Sequence, residues 1–182
     1  QEVLQSSKLS SDQKMTAIVR RVGQRIAAAA NKPDFQWEFN LIESEQVNAF
    51  CLPGGKIAVY TGILPYMQNE AGMAVVMGHE VGHAIARHGG ERMSQNVLAG
   101  AIQKGLEIGL GSSDPQTRDG IMQAFGLGSQ VGVLLPYSRK HELEADQIGL
   151  KLAAQAGYDP REAPGFWERM AASGGRKPPE LL

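Results

Sequence analysis

The sequence is short of several features that would place a protein in a particular class. It carries 18 Lys and Arg against 19 Asp and Glu, so it lacks the basic surplus that nucleic-acid or anionic-membrane binding requires. Its single cysteine, Cys51, excludes an internal disulfide, and we interpret this thiol as a small packed side chain. The longest apolar stretches, residues 97–110 and 121–136, are interrupted by charged or amide side chains, so no segment is predicted to span a bilayer.

What the chain does have is the hydrophobic periodicity of a mostly helical α+β protein. The 182 residues can bury a core, and we expect a single domain over residues 1–182. The glycine-rich stretch 109–128 is typical of a mobile connection around short helical pieces. The pattern predicts helices over residues 11–30, 69–88, 138–156 and 161–172, and strands over residues 35–42 and 56–60.

The stretch MGHEVGHAIARH, Met77 to His88, places ionisable groups inside a predicted buried helix. Residues four apart share one helical face, so His79 and His83 can direct both imidazoles at a single ion. Glu80 lies about 100° round the helix, from where a carboxylate can reach a water on the open side of that ion. The HExxH pattern therefore predicts a catalytic metal site with Glu80 as general base.

A catalytic zinc site needs a third protein ligand, and helical phase selects one in SRKHELEADQIG, residues 138–149. His88 has the wrong spacing from His83 to complete an HExxHxxGxxH site. Glu142 falls on a stripe of small residues that would let its helix approach Gly82 closely, whereas Glu144 falls on the opposite, solvated face. Asp146, one turn after Glu142, is interpreted as an acceptor that orients a ligand histidine, or as a buried partner for a basic side chain.

These residues resemble the zinc metallopeptidase family of the CAAX prenyl protease, HtpX, OMA-type and BepA-like proteases, with its HExxH motif and downstream ExxxD. The segment NAFCLPGGKIAVYTGIL, residues 48–64, is also similar to that family. The resemblance implies a zincin-like fold of gluzincin type, one Zn²⁺ per chain on His79, His83 and Glu142, and polypeptide substrates. It further implies that a small sheet lines the cleft with an edge strand, which we predict to be Lys56, Ile57, Ala58, Val59 and Tyr60.

The absence of predicted spans makes the bacterial envelope members the closer comparison. We therefore expect a periplasmic protease of protein quality control that has lost its targeting segment, with peripheral membrane association through a missing N-terminal anchor. The chain has no histidine after His141 and ends at PPELL, so we also expect a C-terminal part of the family domain to be missing. Tyr137 and Arg139 are candidates for oxyanion stabilisation by their nearness to Glu142 in sequence.

Two other classes of function stay open from the sequence. The zinc site could be structural and stabilise a binding or chaperone-like module, or the histidines and Glu142 could form a metal-free polar network in an interaction domain. Neither alternative requires a glutamate at position 80. A further hypothesis is that residues 109–137 cover the cleft and keep the enzyme latent.

Overall fold

The computed structural model describes residues 7–111, 113–129 and 135–174, with the backbone alone for residues 88, 89, 92, 95, 127–129 and 135–138. The predicted α+β class with a predominance of helix is confirmed. The helices are α1 (Gln13–Ala30), α2 (Leu64–Met67), α3 (Glu70–Ile85), α4 (His88–Gly109), α5 (Pro115–Ser129), α6 (Leu135–Gln155) and α7 (Glu162–Ala172). The strands are β1 (Glu38–Ile42), β2 (Ala49–Leu52) and β3 (Lys56–Tyr60).

The first helix supplies one wall of the core. The side chain of Asp12 accepts a hydrogen bond from the backbone N–H of Met15 and so caps α1, which ends at Asn31 in the left-handed conformation. Val19, Val22 and Ile26 recur at helical spacing and are fully buried, where they pack against the sheet and α3.

The sheet corrects the predicted edge strand. Its order is β1-β3-β2, with β3 parallel to β1 and antiparallel to β2, so Lys56–Tyr60 is the central strand. The prediction of an edge strand over these residues was therefore wrong. The physical reason is visible in the strand itself, because Ile57, Ala58 and Val59 are all fully buried and a strand buried on both faces lies inside a sheet.

The two outer edges of the sheet differ in whether another segment pairs with their backbone. At β1, the backbone N–H of Ser10 donates to the carbonyl of Leu41, and residue 9 forms an antiparallel bridge to Ile42. Among the described residues, no strand pairs with the outer edge of β2. The N–H of Tyr60 donates to the carbonyl of Asn48, so the alternation of an antiparallel ladder turns the backbone groups of Ala49 and Cys51 outward.

Helix α3 crosses the core and carries the HExxH motif. Asn69 caps it, as predicted, by accepting a hydrogen bond from the N–H of Gly72 at 2.8 Å. Almost every residue from Gly72 to Gly82 is buried, between β2, α1 and α7. The helix ends at Ile85 rather than at His88, because Arg87 takes the left-handed conformation and a new helix, α4, begins after it.

The chain divides into two compact units. The first consists of residues 1–86 and 142–182, and the second of residues 87–141. Within the second unit, α4 packs on α5, and the predicted glycine-rich connection, residues 109–128, begins at the last residue of α4 and includes most of α5. Residues 112 and 130–134 lie outside the described residues, so the hypothesis that residues 109–137 cover the cleft stays a prediction, as does the single domain.

No helix among the described residues is both long enough and apolar enough to cross a membrane.

Candidate metal centre

The centre begins with a close contact between α3 and α6. A Cβ atom placed on Gly78 would lie 2.6 Å from the carbonyl oxygen of Gly149, and one placed on Gly149 would lie 2.6 Å from the backbone nitrogen of His79. One turn further along, a Cβ on Gly82 would lie 2.7 Å from the carbonyl oxygen of Ala145. Only glycine allows backbones this close, so these small residues bring the two helices into direct contact.

This contact brings three potential ligands together, as the stripe of small residues on α6 predicts. His79 Nε2 lies 3.1 Å from His83 Nε2 and 3.4 Å from a carboxylate oxygen of Glu142. The other oxygen of Glu142 lies 3.5 Å from His83 Nε2. In the part of the chain that the structure describes, these three residues are the group whose donor atoms are placed to hold a metal ion.

The donor set fits zinc. A tetrahedral zinc ion with bonds of about 2.0–2.1 Å holds its ligand atoms about 3.3–3.4 Å apart. The two imidazole nitrogens here are 3.1 Å apart, and each lies close to that separation, at 3.4 or 3.5 Å, from a different oxygen of Glu142. Two imidazole nitrogens and one carboxylate are ligands that zinc accepts, whereas magnesium and calcium prefer oxygen alone. Three protein ligands also leave one position open, which distinguishes catalytic from structural zinc sites.

Asp146 contacts Nδ1 of His79, the ring nitrogen that does not face the other two potential ligands. Its carboxylate lies 2.6 Å from His79 Nδ1, so this ring nitrogen carries the proton and donates it, which leaves Nε2 directed at the other two ligands. Burial of the ring lowers the pKa of His79, but hydrogen bonds to Asp146 and Glu142 and the nearby charge of Glu80 raise it more. The pKa of His79 accordingly rises from 6.5 to about 9.

Glu80 lies beside the three potential ligands without belonging to them. Its negative charge acts on His79 and also on Cys51 of β2, where burial first and this charge second raise the pKa of the thiol to about 12. The carboxylate is therefore close to both the ligand set and the outer strand of the sheet. Cys51 stays protonated at neutral pH, which fits the interpretation of a packed thiol better than that of a nucleophile.

One neighbour of the centre was not predicted from the sequence. Trp167 of α7 is buried, and its ring meets that of His79 edge to face, with the centroids 5.6 Å apart. The indole thus packs against the His79 ring beside the contacts of Asp146 and Glu142. A helical pattern alone gave no signal for this role, because Trp167 has the spacing of an ordinary core residue.

The other residues that the sequence suggested for the site are not part of this cluster, or their side chains are not described. Glu144 and Arg139 are exposed, and the side chains of His88 and Tyr137 are not among those described. The predicted substrate strand, Lys56–Tyr60, has both of its edges paired within the sheet.

Comparison with known proteins agrees with the motifs. The model of peptidase family M48 matches residues 13–181. The mitochondrial metalloendopeptidase OMA1 of Schizosaccharomyces pombe is 42% identical over 161 residues, which cover 88% of this chain and 45% of that protein. The beta-barrel assembly-enhancing protease of Yersinia pestis is 31% identical over 182 residues, which cover 97% of this chain and 37% of that protein. The chain spans less than half the length of these relatives, and it belongs to peptidase family M48, as the sequence resemblance predicted.

Proposed function

We propose that this chain is a zinc-dependent endopeptidase that hydrolyses peptide bonds of unfolded or misfolded proteins. The observation that carries the proposal is the convergence of His79, His83 and Glu142 at zinc-like separations. Glu80 lies beside this set, close enough for its charge to raise the pKa of His79. A structural zinc site would not need such a carboxylate, whereas hydrolysis needs a base at this place.

The residues divide the chemistry between them. His79, His83 and Glu142 would hold a zinc ion, which would serve as a Lewis acid for the scissile carbonyl and for a water. Glu80 takes a proton from the attacking water and passes it to the leaving amine. Asp146 fixes the tautomer of His79 by accepting its Nδ1 proton.

We propose that the substrate pairs with β2 instead of β3. The outward N–H and C=O groups of Ala49 and Cys51 offer an extended peptide backbone hydrogen bonds with weak demands on its side chains. Because β2 packs against α3, a peptide on this edge would run beside the helix that carries Glu80. An unfolded chain can supply such a strand, and a folded protein seldom can.

The test separates binding of zinc from chemistry. Glu80→Gln should retain about one zinc per chain and lose casein cleavage by a factor of 100 or more, because it removes a general base. Glu144→Gln, an exposed carboxylate on α6, is the matched control and should cleave casein like the parent. A zinc-loaded Glu80→Gln protein that cleaves at the parent rate would refute the mechanism. A parent that binds zinc, unfolds on chelation and cleaves nothing would support the structural site instead.

Location in the bacterial periplasm, a role in protein quality control and a lost N-terminal anchor rest on the family resemblance alone and stay predictions.

A further inference from the structure

The residue before Glu142 makes a contact that the catalytic scheme does not use. His141 is only 3% exposed, and its Nε2 lies 2.9 Å from a carboxylate oxygen of Glu91. Glu91 itself is half exposed, with 54% of its side-chain surface accessible. A half-exposed carboxylate therefore reaches a buried imidazole fifty residues away in the sequence.

Both partners have a defined place in the helices. His141 begins the buried stripe of α6, which continues through Ala145 and Gly149. Glu91 lies in the first turn of α4, a few residues after the left-handed turn at Arg87 that ends the HExxH helix. The ion pair lies within the second compact unit, whereas Glu142, the next residue of α6, lies within the first.

Along α6, residues on both sides of Glu142 therefore make contacts with other helices. On its C-terminal side, Ala145 and Gly149 lie against the backbone of α3. On its N-terminal side, His141 is held by Glu91. A carboxylate that must meet two imidazoles at 3.4 and 3.5 Å tolerates little rotation of its helix.

We propose that Glu91 is a positioning residue of the metal centre, which acts through His141 to fix the orientation of Glu142. The proposal rests on the zinc site of the proposed function and extends it to a residue that contacts no ligand atom of that site. Outer partners of metal ligands commonly change metal affinity about 10- to 100-fold when they are removed. Glu91 contacts the neighbour of a ligand and not a ligand itself, so we expect its removal to change zinc affinity by a factor near the lower end of that range.

The experiment measures zinc affinity by competition with a chromophoric chelator, which does not depend on peptidase activity. Glu91→Ala should weaken zinc binding about tenfold. Glu91→Gln keeps a carbonyl acceptor for the His141 N–H and should stay within about threefold of the parent. Asp119→Ala, an exposed carboxylate of the same unit, is the matched control and should bind zinc like the parent.

A double variant separates positioning from general support of the fold. If Glu91 acts through Glu142, then Glu91→Ala should cause no further loss of zinc affinity in a Glu142→Ala background. Equal losses in both backgrounds, or an unchanged affinity of Glu91→Ala in a parent that binds zinc, would overturn the inference and leave the proposed function intact. A parent that binds no zinc would overturn both.

Discussion

Several interactions of the metal centre meet at His79. Asp146 contacts its Nδ1, Glu142 and His83 lie near its Nε2, and Trp167 covers its ring. In the zinc-free protein these acidic neighbours keep the ring protonated, with a pKa raised to about 9. Zinc requires the neutral ring, so metal and proton compete for the same imidazole.

This competition predicts the pH dependence of zinc binding. Below about pH 9, each zinc that binds displaces a proton from His79, so affinity should rise about tenfold per pH unit and then level off near pH 9. Asp146→Asn removes the carboxylate whose hydrogen bond does most to raise this pKa, so its affinity should level off at lower pH and remain at least tenfold weaker than that of the parent at pH 9. Chelator competition at pH 6 to 10 measures both curves.

The zinc-free fold provides the control for this measurement. Because the pKa of His79 is higher in the folded protein than its ordinary value of 6.5, its protonation stabilises the fold fully below pH 6.5. That contribution is lost as the pH rises through about 9, so melting of the zinc-free protein must be followed in parallel. A zinc affinity that levels off near pH 6.5 in the parent would contradict the predicted competition.

Between elements, the decisive feature is the contact of α3 with α6. Gly149→Ala should lower the free energy of unfolding by about 1–3 kcal/mol and weaken zinc binding, because the new Cβ would lie 2.6 Å from the backbone nitrogen of His79. The helices would have to separate, which moves Glu142 and Asp146 away from His79. Chemical denaturation and zinc competition on the same protein measure the two effects.

A glycine elsewhere supplies the matched control. A Cβ on Gly120 of α5 would meet no atom within 4 Å, so Gly120→Ala should leave zinc affinity unchanged and stabilise its helix by about 0.5–1 kcal/mol. If Gly149→Ala leaves both the free energy of unfolding and the zinc affinity equal to those of the parent, then α3 and α6 can accommodate the added methyl group without separating, and the prediction is wrong.

The same contact shows how far the sequence could predict this protein. Helical phase predicts the small residues that face each other and brings Glu142 toward the histidines, because periodicity reports which residues share a face. The capping residue Asn69 and the bounds of β3 also follow from local pattern. All of these depend on interactions within one segment.

Features that depend on distant segments could not be predicted in this way. β2 was missed, and with it the pairing that makes β3 central, since strand order is set by contacts far apart in sequence. Trp167 of α7 contacts His79 and Glu91 of α4 contacts His141, and each has the local pattern of an ordinary helical residue. The consecutive apolar residues of β3 did hold a signal for a central strand, which the edge-strand resemblance outweighed.

At the scale of the whole molecule, the metal centre joins two distant parts of the chain. The histidines come from the first 86 residues and Glu142 from the segment that begins at residue 142, and the two segments form one compact unit. The 55 residues between them form the other unit. The three potential ligands therefore belong to one compact unit, although the backbone between them runs through the other.

This arrangement predicts the result of cutting the chain between α4 and α5. With a protease recognition sequence inserted after Ser113, the cleaved zinc-loaded protein should elute as one species with one zinc per pair of fragments, because each fragment contributes ligands and a face of the α3–α6 contact. An uncut sample of the same insertion variant is the control. Separation of the fragments in the presence of zinc would contradict this account of the centre.

The same cleaved protein tests the hypothesis that residues 109–137 cover the cleft. If they keep the enzyme latent, then cutting within them should raise the rate of casein cleavage per bound zinc, since one attachment of the covering segment is lost while the ligand set is kept. If the rate per zinc is unchanged, the covering hypothesis is wrong. Cleavage with retained zinc therefore distinguishes a covering role for this unit from the positioning of Glu142 through Glu91, because only the former predicts a gain in activity.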